Sequence, residues 1–334
     1  MSNPSTGVTP DLASDRTGPL APTPLSGIVI LDKPSGLSSN RAMARLKYLL
    51  GPALHRGKMG YLGTLDPLAT GVLPVFVGKA TKLIPEFEKL DKVYRCTLRL
   101  GQRTDTFDAE GQVVEERPLT GLTPERVREA ILSFAGEYQQ KVPAFSAVKV
   151  GGVPAYRLAR QGVPMPERLR TVRLWDLAVE SVDLPCATFQ AACSSGTYIR
   201  SLVDDIGQTL AVGAHLTALR RLSCGSLFTA EYSITLSEIE ERIARGDSAM
   251  VRNPVEFLTD HLPLTLPAEA EQHLRDGRDI PLTDPLTGAA HAGMAVRSGA
   301  KIKVVRPCGT LIAVGEIVAR GPQALSCHPT KVLI

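Results

Sequence analysis

At 334 residues the chain is long enough for one large core or two domains, and 43% hydrophobic with 22% charged residues is the balance of a globular protein rather than a disordered one. No apolar run reaches the ~20 residues that a membrane-spanning helix needs. The net charge of +4 is modest, so the placement of the bases says more than their sum.

Residues 1–25 carry Pro, Ser, Thr and Gly with almost no apolar periodicity and no basic start followed by an apolar block. They read as a disordered tail and not as a secretory signal. Gly27 to Leu31 is a short apolar run, expected to form a buried strand. Asp32-Lys33-Pro34-Ser35-Gly36 turns the chain. Ser38 or Ser39 then caps a helix whose apolar positions Ala42, Met43, Leu46, Leu49 and Leu50 follow helical spacing. Arg41, Arg45, Lys47, Arg56 and Lys58 follow with no acid among them, a basic approach suited to phosphate contacts.

That approach leads to Gly60-Tyr61-Leu62-Gly63-Thr64-Leu65-Asp66-Pro67-Leu68-Ala69-Thr70-Gly71. Pro67 pushes Asp66 out of the helical region, and the glycines permit close backbone approach. The pattern places one acid on a stiff irregular turn, where its carboxylate faces a ligand or bonds its own backbone. Val72 to Val77 is strand-like, and a helix is expected from about Ala80 to Leu90 with Pro85 as a kink or limit. Val93 to Leu100 alternates Tyr94, Cys96, Leu98 and Leu100 against Arg95, Thr97 and Arg99, a half-exposed strand. Gly101 to Gly111 holds Asp105, Asp108 and Glu110. The spacing fits no calcium loop, so a solvated turn is expected.

Thr123 and Pro124 open a helix with Val127, Ala130, Ile131 and Phe134 inward. From Lys141 to Arg173 stand seven bases (Lys141, Lys149, Arg157, Arg160, Arg168, Arg170, Arg173) against one acid, Glu167, with Phe145 and Tyr156 interleaved. Pro154, Pro164 and Pro166 prevent one long helix. A basic arm with aromatic residues suits RNA backbone and unpaired bases. Thr188 to Ser194 reads as a strand, and Gly196-Thr197-Tyr198-Ile199-Arg200 turns it into a helix with Leu202, Val203, Ile206 and Leu210 inward. A cation at a helix start opposes the macrodipole, so Arg200 needs a reason there, and one reason is a carboxylate partner. Arg220-Arg221 is a small basic patch, and Leu236 to Ala244 a short amphipathic helix. A boundary is expected near residues 255–264. Alternating strands follow at Ile302 to Val305, Leu311 to Val318 and Pro329 to Ile334. The six cysteines have no zinc-site spacing and read as scattered thiols of a reducing cytoplasm.

The string Gly63-Thr64-Leu65-Asp66-Pro67-Leu68-Ala69-Thr70-Gly71 closely resembles the catalytic motif of the TruB family of tRNA pseudouridine synthases, which act on the T loop. The resemblance continues at Leu31 to Asn40, Tyr94-Arg95, Arg99 to Thr106 and Gly196 to Arg200, over about residues 26–230. It implies an α+β fold: a mixed, largely antiparallel sheet flanked by helices and loops over 26–255, with an RNA-binding arm at about 149–173. The tail, from Val314-Gly315-Glu316-Ile317 and Lys331-Val332-Leu333, resembles the small β-barrel RNA-binding domain PUA, over 260–334.

The resemblance implies isomerisation of the T-loop uridine to pseudouridine, without cofactor or metal. Asp66 is implied as the catalytic aspartate, Tyr94 as the tyrosine stacking on the target base, and Arg200 as the partner of the aspartate. Attack on the sugar, attack on the base and elimination across the sugar all begin at that carboxylate, and the residues do not choose among them. The target uridine must be flipped from its stack. The family pattern has histidine for this at the position of Tyr61, whose flat ring can also stack. It also has tyrosine where Phe145 stands, so the ring remains without its hydroxyl. Lys33, Arg41, Lys58, Lys149, Tyr156, Arg157, Arg160, Tyr198 and Arg220 are the expected RNA contacts. The expected partner is tRNA, in the cytoplasm, with no membrane and no obligate protein. Two other readings are an RNA-binding or tRNA-folding module with secondary or no catalysis, and a guide-RNA-dependent relative. Asp66, Tyr94 and Arg200 argue against the first, and the basic arm, which resembles the bacterial stand-alone form, against the second.

Overall fold

The computed structural model describes residues 26–51, 57–146, 148–163, 168–247, 249–266, 271–282, 297–320 and 325–334. The expected tail, 1–25, and Arg56 lie outside them, as do the side chains of Lys149, Tyr156 and Arg160. No helix among the described residues is long and apolar enough to cross a membrane.

The chain begins with β1 (Gly27–Lys33) and α1 (Ser39–Leu50), whose inward residues Ala42, Leu46 and Leu50 are the expected ones. Strands β2 (Met59–Tyr61) and β3 (Thr70–Val77) bracket Asp66. The single helix expected over 80–90 is instead a 3-10 turn, Gly78–Leu83, followed by the short α2 (Ile84–Phe87). Pro85 sits in the first turn of α2, where no N–H is needed. After β4 (Lys92–Leu100) come a small hairpin, β5 (Gln102–Thr104) with β6 (Val113–Glu116), then α3 (Pro124–Leu132), capped by Thr123, and β7 (Gly136–Lys141). The arm holds a short ladder, β8 (Lys149–Val150) with β9 (Val153–Pro154), and α4 (Ala155–Arg160).

The arm ends earlier than expected. Residues 169–173 begin a long strand, β10 (Leu169–Asp183), so Arg170 and Arg173 belong to the sheet. The elements β11 (Cys186–Cys193), α5 (Ile199–Thr209), β12 (Ala214–Cys224), β13 (Phe228–Thr229) and α6 (Leu236–Ala244) complete the first unit. Its sheet runs β1-β3-β12-β4-β11-β10-β7, with β2 on β3 and β13 on β12. Among the described residues of this sheet only β3 and β12 pair in parallel, so the sheet is mixed and largely antiparallel, as expected. The β3–β12 pair is close: a Cβ on Gly71 would stand 2.2 Å from the Arg221 carbonyl oxygen, so only glycine fits. One face of β4, β11 and β12 packs with α1, α3 and α5 residues into the main core.

The last unit holds β14 (Leu262–Thr265), α7 (Glu271–Arg275), β15 (Ile280–Pro281), β16 (Lys301–Val305), β17 (Leu311–Ala319) and β18 (Leu325–Val332). Among the described residues it is a five-stranded sheet in the order β14-β16-β17-β18-β15. A cluster of Phe76, Phe87, Phe228 and Phe257 joins the two units and receives Leu311, Val314 and Leu333. Phe228 and Phe257 stack with centroids 4.8 Å apart. Each such buried ring contributes about 1.5–3 kcal/mol by burial, so the two units share one apolar seam.

Candidate active site

The turn after β1 holds the Asp66 segment by its backbone. The Gly36 N–H donates to the Pro67 carbonyl at 2.8 Å, and the Ser35 hydroxyl to the Leu68 carbonyl at 3.1 Å. Ser38 is the N-cap of α1, accepting from the Arg41 N–H. Its neighbour Ser39 has another task. It is buried, donates to the Leu65 carbonyl at 2.9 Å and accepts from the Leu65 N–H at 2.8 Å, clamping the residue before Asp66 on both sides.

Lys33, expected as an RNA contact, is fully buried. Its ammonium donates to the carbonyls of Pro34, Leu37 and Pro67 and cannot reach a phosphate outside. Burial lowers its pKa to about 8, against the pull of the Asp66 and Glu110 carboxylates.

Asp66 is one-third exposed, and its carboxylate meets Arg200, the partner that the resemblance implied. The Arg200 Nε donates to Oδ2 at 2.8 Å and Nη2 to Oδ1 at 3.5 Å. Nη1 also donates to the Thr106 carbonyl and Nη2 to the Phe145 carbonyl, both at 2.9 Å. Arg200 is 5% exposed, so its fork is oriented on every side.

A second carboxylate lies here. Asp108 Oδ2 is 3.6 Å from the Arg200 Nε, and the residue is 4% exposed. The Thr106 hydroxyl and the Glu110 N–H hold its other oxygen. The solvated turn expected at 101–111 is therefore corrected: its middle acid is buried against the site. Arg103, doubly bonded to Asp204 on α5, ties this loop down. Burial and the neighbouring Asp108 and Asp66 raise the pKa of Glu110.

Tyr94 lies in the main core with Leu65 and Ala69, the residues flanking the Asp66 turn, and is 7% exposed. Burial pushes its phenol up to about 12, with the nearby Arg221 guanidinium pulling the other way. At neutral pH the hydroxyl keeps its proton. Tyr61 stands on β2 opposite Val75, half-buried with its ring against the main core. Tyr198 is the N-cap of α5, and Gln140 brackets its backbone, accepting from the N–H at 2.8 Å and donating to the carbonyl at 3.0 Å.

Of the other expected contacts, Arg41, Lys58 and Arg157 are exposed. Arg220 is partly exposed and forms a two-bond pair with Asp32 at 3.0 and 2.7 Å. The basic patch expected at 220–221 is a strand instead: Arg220 faces out, and Arg221 is the largest fully buried side chain. Among the described residues no group of three or more His, Cys, Asp or Glu is placed to hold a metal ion.

Sequence reasoning missed Ser39, Asp108 and Arg221. Asp108 carried a signal, because the loop that holds it is rich in acids and a carboxylate partner is one reason for Arg200 at a helix start.

The TruB family pseudouridylate synthase (N terminal domain) model matches residues 52–199, and the tRNA pseudouridylate synthase B C-terminal domain model matches 200–261. The tRNA pseudouridine synthase B of Geobacter sulfurreducens is 41% identical over 296 residues, covering 88% of this chain and 94% of that protein. That of Burkholderia lata is 42% identical, covering 79% and 81%. Two solved structures share the fold. An H/ACA RNP bound to a substrate RNA containing 2'-deoxyuridine aligns with a TM-score of 0.65 at 21% identity, over 92% of this chain and 85% of that one. A Cbf5-Nop10-Gar1 complex aligns at 0.64 and 23%, with the same coverage. With the two family models matched in succession and relatives this similar over most of their length, the chain belongs to the TruB family of pseudouridylate synthases and forms pseudouridine in tRNA.

Proposed function

We propose that the chain isomerises the T-loop uridine of tRNA, at position fifty-five, acting alone on a flipped-out base. The observation that carries this reading is the Asp66–Arg200 pair: a one-third-exposed carboxylate held by a buried guanidinium that also donates to the Thr106 and Phe145 carbonyls. Such a carboxylate stays aimed while the base above it rotates. Isomerisation breaks a C–N bond at the sugar, turns the base and closes a C–C bond. Asp66 supplies the anion with which that sequence begins.

Tyr94 offers its ring to the target base, and its phenol gives a proton to the base nitrogen that leaves the sugar and takes back the proton lost from the base carbon that joins it, ending as it began. Tyr61 occupies the stack that the uridine leaves, because a flat ring there offsets part of the few kcal/mol of unstacking. The exposed bases Arg41, Lys58 and Arg157, together with Tyr198 and Arg220, line the path of the T stem-loop, and Lys149, Tyr156 and Arg160 are assigned to RNA contact on the basic, aromatic sequence of the arm alone. The C-terminal sheet acts as a PUA-like RNA-binding unit. Its five-stranded sheet among the described residues supports that reading.

Tritium release from uridine-labelled tRNA, with the purified chain and no other protein or RNA, tests the proposal. Asp66→Asn keeps the shape of the carboxylate and most tRNA binding but abolishes release. A transcript with cytidine in place of the T-loop uridine yields no pseudouridine. Product at another position, or turnover by Asp66→Asn near that of the wild type, would overturn the assignment.

A further inference from the structure

A fully buried arginine without a carboxylate needs a reason, because arginine keeps its charge at any pH a protein survives. Arg221 is 1% exposed, and no acid lies within ion-pair distance of it among the described residues. Its donors go to backbone carbonyls. Nε donates to Val72 on β3 at 2.6 Å, and Nη2 to Leu62 at 3.3 Å and Gly63 at 3.0 Å. Leu62 and Gly63 form the approach to Asp66. The loop rests on the guanidinium itself: a Cβ on Gly63, whose φ is 67°, would stand 3.0 Å from Nη1. Across the β12–β4 pair, the residue opposite Arg221 is Tyr94, and the phenol lies near the guanidinium.

We propose that Arg221 is a positioning residue for the isomerisation: one rigid guanidinium holds the Leu62–Gly63 approach to Asp66 and the Tyr94 phenol in a single frame. Being covered, Arg221 does not touch the substrate. The planar fork explains the choice of residue, since its fixed donors reach β3 and the loop at once beside the Tyr94 phenol, and a lysine ammonium does not span them. The inference rests on the roles given above to Asp66 and Tyr94.

Arg221→Lys disturbs the frame from below, and Gly63→Ala disturbs it from the exposed side of the loop. Three quantities are read in the full-length protein: single-turnover rate on tRNA, tRNA affinity, and the 13Cζ signal of Tyr94, assigned by its loss in Tyr94→Phe. Both variants are expected to bind tRNA as the wild type does and to shift the Tyr94 signal. Each is expected to isomerise about 100-fold more slowly, the scale of a reacting group displaced by about 1 Å. Adding Tyr94→Phe to Arg221→Lys is expected to cost less than adding it to the wild type, because the two residues act together.

Losses that simply multiply, or a Tyr94 signal at its wild-type position in both variants, overturn the proposal. If Arg221→Lys does not fold, Gly63→Ala carries the same readouts. Full activity of Tyr94→Phe overturns the role of Tyr94 and not the frame. The Tyr94 signal then decides the frame alone.

Discussion

Removing Arg200 leaves two carboxylates without their cation. Asp108 is almost wholly buried, Asp66 two-thirds so, and the Thr106 and Phe145 carbonyls lose a donor as well. Stranding buried charge in this way costs about 3–5 kcal/mol, so Arg200→Ala is expected to lower the urea midpoint as well as abolish turnover. Arg200→Lys restores part of the stability and little of the activity, because one ammonium does not reach all four acceptors. A wild-type midpoint for the Ala variant would mean that the pair does not form in solution. Tyr61 calls for a different measurement, since one side of its ring packs on the core. Tyr61→Ala lowers Tm on that account alone. If the ring also replaces the flipped uridine, the loss of stacking is about 1–3 kcal/mol, and productive binding weakens by about one to two orders of magnitude. That second loss shrinks on an RNA whose T loop is already open, while Tyr61→Phe stays near wild type on both. Equal damage on folded and opened substrates assigns Tyr61 to packing only.

At the scale of the element, α1 acts on the site through its first residue. Ser39→Ala deprives the buried Leu65 N–H and carbonyl of their shared partner, a loss of about 1–3 kcal/mol. It is expected to reduce kcat with little change in tRNA affinity, because the Asp66 turn loosens while the RNA-facing surface stays. A raised Kd with unchanged kcat would contradict that.

Simple helices and strands are legible in the amino-acid pattern alone. α3 has its Thr-Pro start and inward stripe, and α5 its spaced aliphatics, both where the sequence put them. The two long central strands are not legible, for a physical reason. In β10 the inward residues run Val172 and Leu174, then Leu177 and Val179, then Val182. The register shifts after Trp175, where Asp176 has φ 49°, and again after Val179, so the alternation changes phase twice. β12 does the same after Leu216 and after Arg221. A period of two interrupted twice in one strand resembles no period at all, and the bases of both strands read as surface charge. The site shares this fate. Asp66, Arg200 and Tyr94 stand in recognisable strings, whereas Ser39, Asp108 and Arg221 act through contacts between distant segments.

At the scale of the whole molecule, alternation predicts β16, β17 and the end of β18, but neither β14 and β15 nor what joins the C-terminal sheet to the rest. The joining rings, Phe76, Phe87, Phe228 and Phe257, come from four separate segments. A polar link runs beside them. Glu86 of α2 bonds Lys331 and lies 3.3 Å from the Lys301 ammonium, and His261, almost fully buried, places Nε2 3.8 Å from Glu86 and Nδ1 2.7 Å from Asp260. Burial pushes Glu86 upward, but the two lysines outweigh it and hold the group below its ordinary 4.5. Burial lowers His261 below its ordinary 6.5, with Asp260 opposing. The signs agree. Below 6.5 the unfolded chain takes a proton that the folded His261 resists, so stability drops as the pH drops. The Glu86 contribution is complete above 4.5 and is lost as pH falls through its lowered value.

Acidification is therefore expected to weaken the seam in two steps, the first beginning near 6.5 and the second near 4.5. Thermal melts of the full chain from pH 8 to pH 4, followed by amide exchange over β16 to β18, measure both. His261→Gln removes the first step and leaves the second. Glu86→Gln removes the second and deepens the first, because the imidazole loses one of the carboxylates that favour its charged form. A pH profile identical to wild type in both variants would mean that the Phe cluster alone holds the C-terminal sheet in place.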